Sequence, residues 1–288
     1  MEDNSFKLKK NQKIGNYIVQ KFLDMGSFGY IYLCINNKNE ERVLKIGNDD
    51  IRYEYEVYKE LKKKKFVKTV NVYELIEYNS KSIIIMEKMR HNLEYINNKN
   101  AFNMVTIVHI GLKIIEILEQ IHINGYIYID IKPNNFLLDT NNNINIIDFG
   151  LSKKYINKHD KHIKFSTNNN LIGTLRYASI SNHMGFELSR RDDLESLAYM
   201  LIRFATKKLQ WQDIQNIKKE NEIIEKIKEM KMCFLIKKKI VPECIIKLLE
   251  YSKKMRFTEE PKYEEIKNNF IKYIDNTNTT EKIELINI

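Results

Sequence analysis

Within six residues, Asp130-Ile-Lys-Pro-Asn-Asn135 supplies a carboxylate, an ammonium and a carboxamide. Thirteen residues beyond Asn135, after an apolar run, stands Asp148-Phe-Gly150. A carboxylate base, a cation that can face phosphate and two oxygen donors for Mg²⁺ are the parts that in-line phosphoryl transfer requires. Upstream, Gly26 and Gly29 close the stretch Asp24-Met-Gly-Ser-Phe-Gly29, a turn between strand-like runs. Backbone amides free of Cβ interference can approach phosphate oxygens there. Each segment alone reads as a polar loop or a hairpin turn. Together, and in this order, they make a specific pattern.

Such groups need rigid elements to hold them, and the hydrophobic periodicity supplies both kinds. Tyr17 to Ile35, broken by the glycine turn, and the short run Arg42-Val-Leu-Lys-Ile read as three strands with a tight turn between the first two. Asp50 to Lys65 is helical and charged, whereas Val70 to Tyr78 and Lys81 to Glu87 are strand-like again. The first third is therefore expected to be a small antiparallel sheet carrying one helix. After Met89 the character changes. Ile107, Ile110, Ile114, Ile117, Leu118 and Ile121 form a helical stripe within Ala101 to Asn124, and Ser189 offers an N-cap to a helix through Leu194, Leu197, Leu201 and Ile202. The last two thirds read as mostly helical, with short strands near Asn135 to Leu138 and Asn143 to Ile147. Glu87 to Asn92 is a hinge-sized connection.

Composition narrows the class. Of 288 residues 43% are hydrophobic and 11% aromatic, which excludes a disordered chain. No apolar run approaches the roughly 18 residues of a membrane span, and Met1-Glu-Asp-Asn-Ser-Phe-Lys lacks the apolar core of a signal peptide. Cys34, Cys233 and Cys244 are too scattered for a disulfide framework or a zinc site and read as reduced thiols. The expectation is an intracellular monomer, cytoplasmic or nuclear, without membrane attachment. A net charge of +10 raises the question of nucleic acid, but lysines interleaved with glutamates, as in Lys218-Lys-Glu-Asn-Glu-Ile-Ile-Glu-Lys226, read as a solvated helix face. No specific nucleic-acid partner is expected.

With these motifs the chain resembles a protein kinase over nearly its whole length. Two further blocks are similar to casein kinase 1: Gly173-Thr-Leu-Arg-Tyr-Ala-Ser-Ile-Ser-Asn-His-Met-Gly185, continuing through Arg190-Arg-Asp-Asp-Leu-Glu-Ser-Leu197, and Met255-Arg-Phe-Thr-Glu-Glu-Pro-Lys-Tyr263. The vaccinia-related kinases, a sister branch, come second. The resemblance implies an α+β, two-lobed fold, with an antiparallel-sheet N-lobe over 1–88, a mainly helical C-lobe over 89–288 and a C-terminal extension of about 15 residues. It implies ATP and Mg²⁺ as cofactors and transfer of the γ-phosphate to Ser/Thr of acidic or phosphorylated protein substrates.

Residue by residue, the resemblance implies that Asp130 accepts the proton of the substrate hydroxyl and Lys132 neutralises the transferring phosphoryl. Asn135 and Asp148 would hold Mg²⁺. Lys45 would pair the ATP phosphates and be held by a helix glutamate, Glu54 with Glu56 as the alternative. Leu23, Gly26, Ser27, Phe28 and Gly29 would cover the nucleotide. The Glu87 and Met89 backbone would meet the adenine edge, with Met86 behind it. Asp193 would fix the catalytic-loop backbone. Arg176, Lys218 and Lys219 fall where casein kinase 1 enzymes bind an anion of the substrate. Three departures stand out: Asp24 replaces the first loop glycine, Tyr128-Ile129 replaces His-Arg, and Arg90-His91 replaces a hinge Gly-Pro. An isoleucine at 129 cannot anchor a phosphorylated activation loop, so control by that modification is not expected. Asp24 and Tyr128-Ile129 also motivate the alternative of a catalytically weak or inactive pseudokinase that acts as a binding partner.

Overall fold

The computed structural model describes residues 7–26, 29–47, 50–63, 68–212, 214, 219–236 and 239–277. The chain forms two compact units, Met1–Arg90 with Asn145–Gly150, and His91–Ile144 with Leu151–Ile288.

In the first unit the strand-forming runs become β1 (Lys13–Ile14), β2 (Tyr17–Gly26), β3 (Gly29–Asn36), β4 (Glu41–Gly47), β5 (Val72–Tyr78) and β6 (Lys81–Glu87), with α1 (Asp50–Lys63) between β4 and β5. They pair antiparallel in the order β1-β2-β3-β4-β6-β5. Side chains alternate across a sheet. Val19, Tyr32, Cys34, Leu44, Ile46, Ile83 and Ile85 accordingly share one apolar cluster. The same alternation turns Lys45, opposite Ile84 in the register, to the other face. On α1 the buried residues Ile51, Glu54, Val57, Tyr58 and Leu61 recur at helical spacing, so Glu54 shares the inward stripe. At the mouth of the β2–β3 hairpin Gly29 has φ +140°, and a Cβ there would stand 1.8 Å from the Ile46 carbonyl oxygen. The close approach of β3 to β4 demands a glycine at this point regardless of any ligand.

The second unit contains α2 (Leu93–Lys99), α3 (Met104–Ile123), β7 (Tyr126–Ile127), β8 (Phe136–Leu138), the start of β9 (Ile144–Ile146), β10 (Lys153–Lys154), α4 (Ile180–His183), α5 (Arg190–Thr206), α6 (Glu220–Met232), α7 (Glu243–Lys254) and α8 (Tyr263–Thr277). The stripe expected from Ala101 begins only at Met104, because Asn103 is extended and its side chain caps the Thr106 N–H at 2.8 Å. Ser189 is the N-cap of α5, and its own N–H donates to Asp192 at 2.8 Å. From Asp192 to Ala205 α5 is buried throughout, packed against α3 and α7, while α3 packs on α8. At this crossing Gly111 has no room for a side chain, since a Cβ would lie 2.6 Å from Phe270 and 2.8 Å from Leu201. No helix among the described residues is long and apolar enough to cross a membrane.

Candidate active site

The first unit brings together one cation and two carboxylates. Lys45 Nζ on β4 lies 2.6 Å from Glu54 Oε2 and 2.9 Å from Asp148 Oδ1. Glu56, the alternative partner, instead pairs with Lys59 on the surface of α1. Burial would by itself lower the Lys45 ammonium, but the charges of Glu54 and Asp148 outweigh it and hold the group above its ordinary value. Asp148 has φ +66°, an unusual backbone conformation for a residue with a side chain. It is fixed by its N–H donating to the Tyr58 hydroxyl at 2.8 Å and by Phe149 packed edge-on to Tyr58 at 5.0 Å. One residue pair further back, Ile146 exchanges hydrogen bonds with Lys68 and Thr69, which ties the segment to this unit.

The other expected nucleotide residues lie on β2, β3 and β6 and just after β6. Met86 is buried near the end of β6, and Glu87 follows it with its N–H donating to the Asn71 carbonyl at 2.8 Å. Met89 is half-buried and its backbone has no backbone partner among the described residues. Gly26 and Gly29 face each other across the hairpin, and Leu23 is 42% exposed. Asp24 is exposed and accepts from the Met25 N–H at 2.8 Å. Ser27 and Phe28 lie outside the described residues.

The second unit surrounds one carboxylate with donors. Asp130, 3% exposed, accepts at Oδ1 from the Thr174 N–H (2.9 Å) and hydroxyl (2.7 Å). Its Oδ2 meets Lys132 Nζ at 2.6 Å and Asn135 Nδ2 at 3.2 Å, and Asn135 Nδ2 also reaches the Asp130 carbonyl at 3.0 Å. Because a carboxylate only accepts, Asn135 must turn its NH₂ toward Asp130 and its amide oxygen away. Ile129, just before Asp130, has φ +75°, a costly conformation for a β-branched residue. Asp193 holds it there: Oδ1 accepts from the Ile129 N–H and Oδ2 from the Tyr128 N–H, both at 2.7 Å. His122 Nε2 contacts the same Oδ2 at 2.8 Å, and His122 Nδ1 bonds the Tyr263 hydroxyl.

Arg176 is half-buried, with its carbonyl accepting from Trp211 Nε1 at 2.8 Å and no carboxylate partner for its guanidinium among the described residues. Lys219 is 80% exposed and pairs with Glu222 at 3.2 Å. No contact joins it to Arg176 among the described residues, and Lys218 lies outside them. Thr174, His122 and Tyr58 were not singled out by sequence. Thr174 is the one with a readable signal, a hydroxyl directly after Gly173 in the first of the two blocks similar to casein kinase 1.

Asp148 and Asn135 each carry hard oxygen donors of the kind that a divalent metal takes. Among the described residues no cluster of three or more His, Cys, Asp or Glu is present.

The fold and these residues define a phosphotransferase domain built from a sheet unit and a helical unit. The family model described as Protein kinase domain matches residues 17–279, and the chain belongs to the protein kinase family. The activity of that domain is phosphotransfer to protein, with ATP as donor.

Proposed function

We propose that the chain is an active serine/threonine kinase of the casein kinase 1 type that favours acidic or already phosphorylated substrates. The observation that carries this is the Asp130 carboxylate, held on both oxygens by Thr174, Lys132 and Asn135. A degenerate kinase has no reason to keep its base so tightly oriented. In this reading Lys45 holds the α- and β-phosphates, Glu54 keeps Lys45 in place, and Asn135 and Asp148 hold Mg²⁺. Mg²⁺, when bound, neutralises charge on the phosphate oxygens. Asp130 orients the substrate hydroxyl and takes its proton, while Lys132 faces the charge that develops on the transferring phosphoryl. Lys132, two residues after Asp130, supports a serine/threonine preference. The two blocks at Gly173 and Met255 support the casein kinase 1 branch.

Ile129 supports constitutive activity. It packs with Ile127, Tyr155 and Leu188, with Ile163 and Ile172 of the following segment against the same cluster. Apolar packing thus holds that segment where other kinases use a phosphate–arginine contact. Incubation with labelled ATP, Mg²⁺ and an acidic protein such as casein tests the reading. Transfer by the wild type, lowered about 100-fold or more in Asp130→Asn, is the expected result. Absence of transfer, or equal transfer by Asp130→Asn, favours the pseudokinase.

A further inference from the structure

α6 is largely exposed, and only two of its residues, Ile227 and Lys231, are buried. Lys231 is 0% exposed, yet its Nζ has no carboxylate within ion-pair distance among the described residues. Instead it donates to the carbonyls of Leu175 (3.0 Å) and Ala178 (2.6 Å) and lies 3.0 Å from His183 Nε2. Three acceptors match the three N–H bonds of an ammonium. The rings of Tyr199 and Trp211 flank it at 5.1 and 5.2 Å. Trp211 in turn donates to the carbonyl between the other two, that of Arg176. The segment from Leu175 to Ala178 is thereby fastened at three of its four carbonyls, and Thr174 at its start holds Asp130.

From this geometry we infer that Lys231 is a positioning residue for substrate selection: it clamps the Leu175–Ala178 loop so that Arg176 presents its guanidinium to a phosphoryl or carboxylate group of the substrate. The inference rests on the proposed anion role of Arg176 and deepens it.

The clamp is sensitive to charge. Burial pushes Lys231 down to about 7, with Glu195 opposing and Lys253 adding to the shift. His183 on α4 is pushed down to about 3 by burial and by Lys231, so it is neutral near pH 7 and its Nε2 can accept. The other groups facing Lys231 are Glu195 and Tyr199 on α5, with the Glu195 carboxylate accepting from the Ile180 N–H and the Tyr199 hydroxyl, and Lys253 on α7, which donates to the Lys231 carbonyl. On its own helix Lys228 adds positive charge near His183. A neutral amine has two N–H donors for three acceptors, so one contact must slacken as pH rises.

The test compares steady-state kinetics of wild type, Arg176→Ala, Lys231→Met and Lys231→Arg on one serine peptide, with and without an upstream phosphoserine. Lys231→Met is expected to raise KM for the phosphopeptide about tenfold, leaving kcat and the unphosphorylated peptide within about twofold. A selective loss in Arg176→Ala with an equal loss on both peptides in Lys231→Met would mean that Lys231 only supports the fold, and the inference falls. An unselective Arg176→Ala removes the anion role itself and takes the inference with it. Should Lys231→Met fail to fold, the pH profile decides. Wild-type KM for the phosphopeptide should rise from about pH 6.5 to about pH 8.5 relative to Lys231→Arg, whose guanidinium does not titrate. Parallel profiles overturn the inference.

Discussion

Lys45 in the first unit and Lys231 in the second are both buried, 6% and 0% exposed, and nothing about the side chain itself distinguishes them. Their surroundings do. Lys45 faces two carboxylates, which outweigh the cost of burial and hold its ammonium above the ordinary range. Lys231 contacts two backbone carbonyls, a neutral histidine and aromatic rings, and burial prevails over the one opposing charge, that of Glu195, bringing it to about 7. Carbonyl dipoles satisfy N–H groups but offer no net charge to offset desolvation. The first arrangement keeps a permanent cation ready for phosphate. The second keeps a cation whose charge depends on pH and whose task is to hold backbone.

Removing each lysine should therefore have very different consequences. Lys45→Met is expected to lower phosphate transfer at least about 100-fold, since it deletes the cation proposed to face the phosphates and leaves Glu54 and Asp148 without a counter-charge. Lys231→Met should leave transfer to an unphosphorylated protein within about twofold. Labelled-ATP transfer by the two variants, both checked for folding by circular dichroism, measures the contrast. Comparable losses would show that the comparison misreads Lys231.

A smaller effect should come from Thr174, the residue that links the Lys231-clamped loop to Asp130. Thr174→Val keeps the backbone N–H bond to Oδ1 and deletes the hydroxyl bond of 2.7 Å. A loss of about tenfold in kcat is expected, with Thr174→Ser restoring most of it, because one charge-assisted hydrogen bond is removed. An unchanged kcat in Thr174→Val would show that the backbone N–H bond alone suffices to hold Asp130.

These two lysines also differ in how visible they are in sequence. Lys45 was singled out by the resemblance to a protein kinase, and strand alternation agrees, since Leu44 and Ile46 face the sheet core and Lys45 faces away. Its partner Glu54 was preferred by the same resemblance with Glu56 left open, and the structure decides between them because Ile51, Val57, Tyr58 and Leu61 share an inward stripe with position 54 and not with 56. The sheet, α1 and α5 follow from local patterns of this kind, as does the N-cap at Ser189. Lys231 sits instead in a stretch with Lys226, Lys228, Glu225 and Glu229, which reads as a solvated face and mostly is one. What buries Lys231 comes from far along the chain: the loop at 175–178, Tyr199 and Trp211. The resemblance to casein kinase 1 suggested Lys219 beside Arg176, and in the structure Lys219 pairs with Glu222 three residues on. The backbone strain at Ile129 and Asp148 was equally hidden, because only tertiary anchors such as Asp193 and Tyr58 make it tolerable.

The smallest expected effect separates the two lysines by the sign of a pH dependence. Lys231 has a folded value of about 7 against an ordinary 10.5, so between those limits the unfolded chain binds the extra proton. Stability contributed by this group therefore rises with pH from about 7 toward 10.5, by roughly 1 kcal/mol per pH unit. Lys45, held above its ordinary value, stays protonated through that window in both states and contributes no slope there. The wild-type melting temperature, measured relative to Lys231→Arg, should climb by about 2–4 °C per pH unit above neutrality. Over the same range the affinity for a phosphorylated substrate should fall, since the neutral amine costs less to bury but has only two N–H donors for its two loop carbonyls and His183. Stability and selective binding moving in opposite directions is a signature that a purely structural lysine would not produce, and a flat melting difference would place the Lys231 proton with that of Lys45.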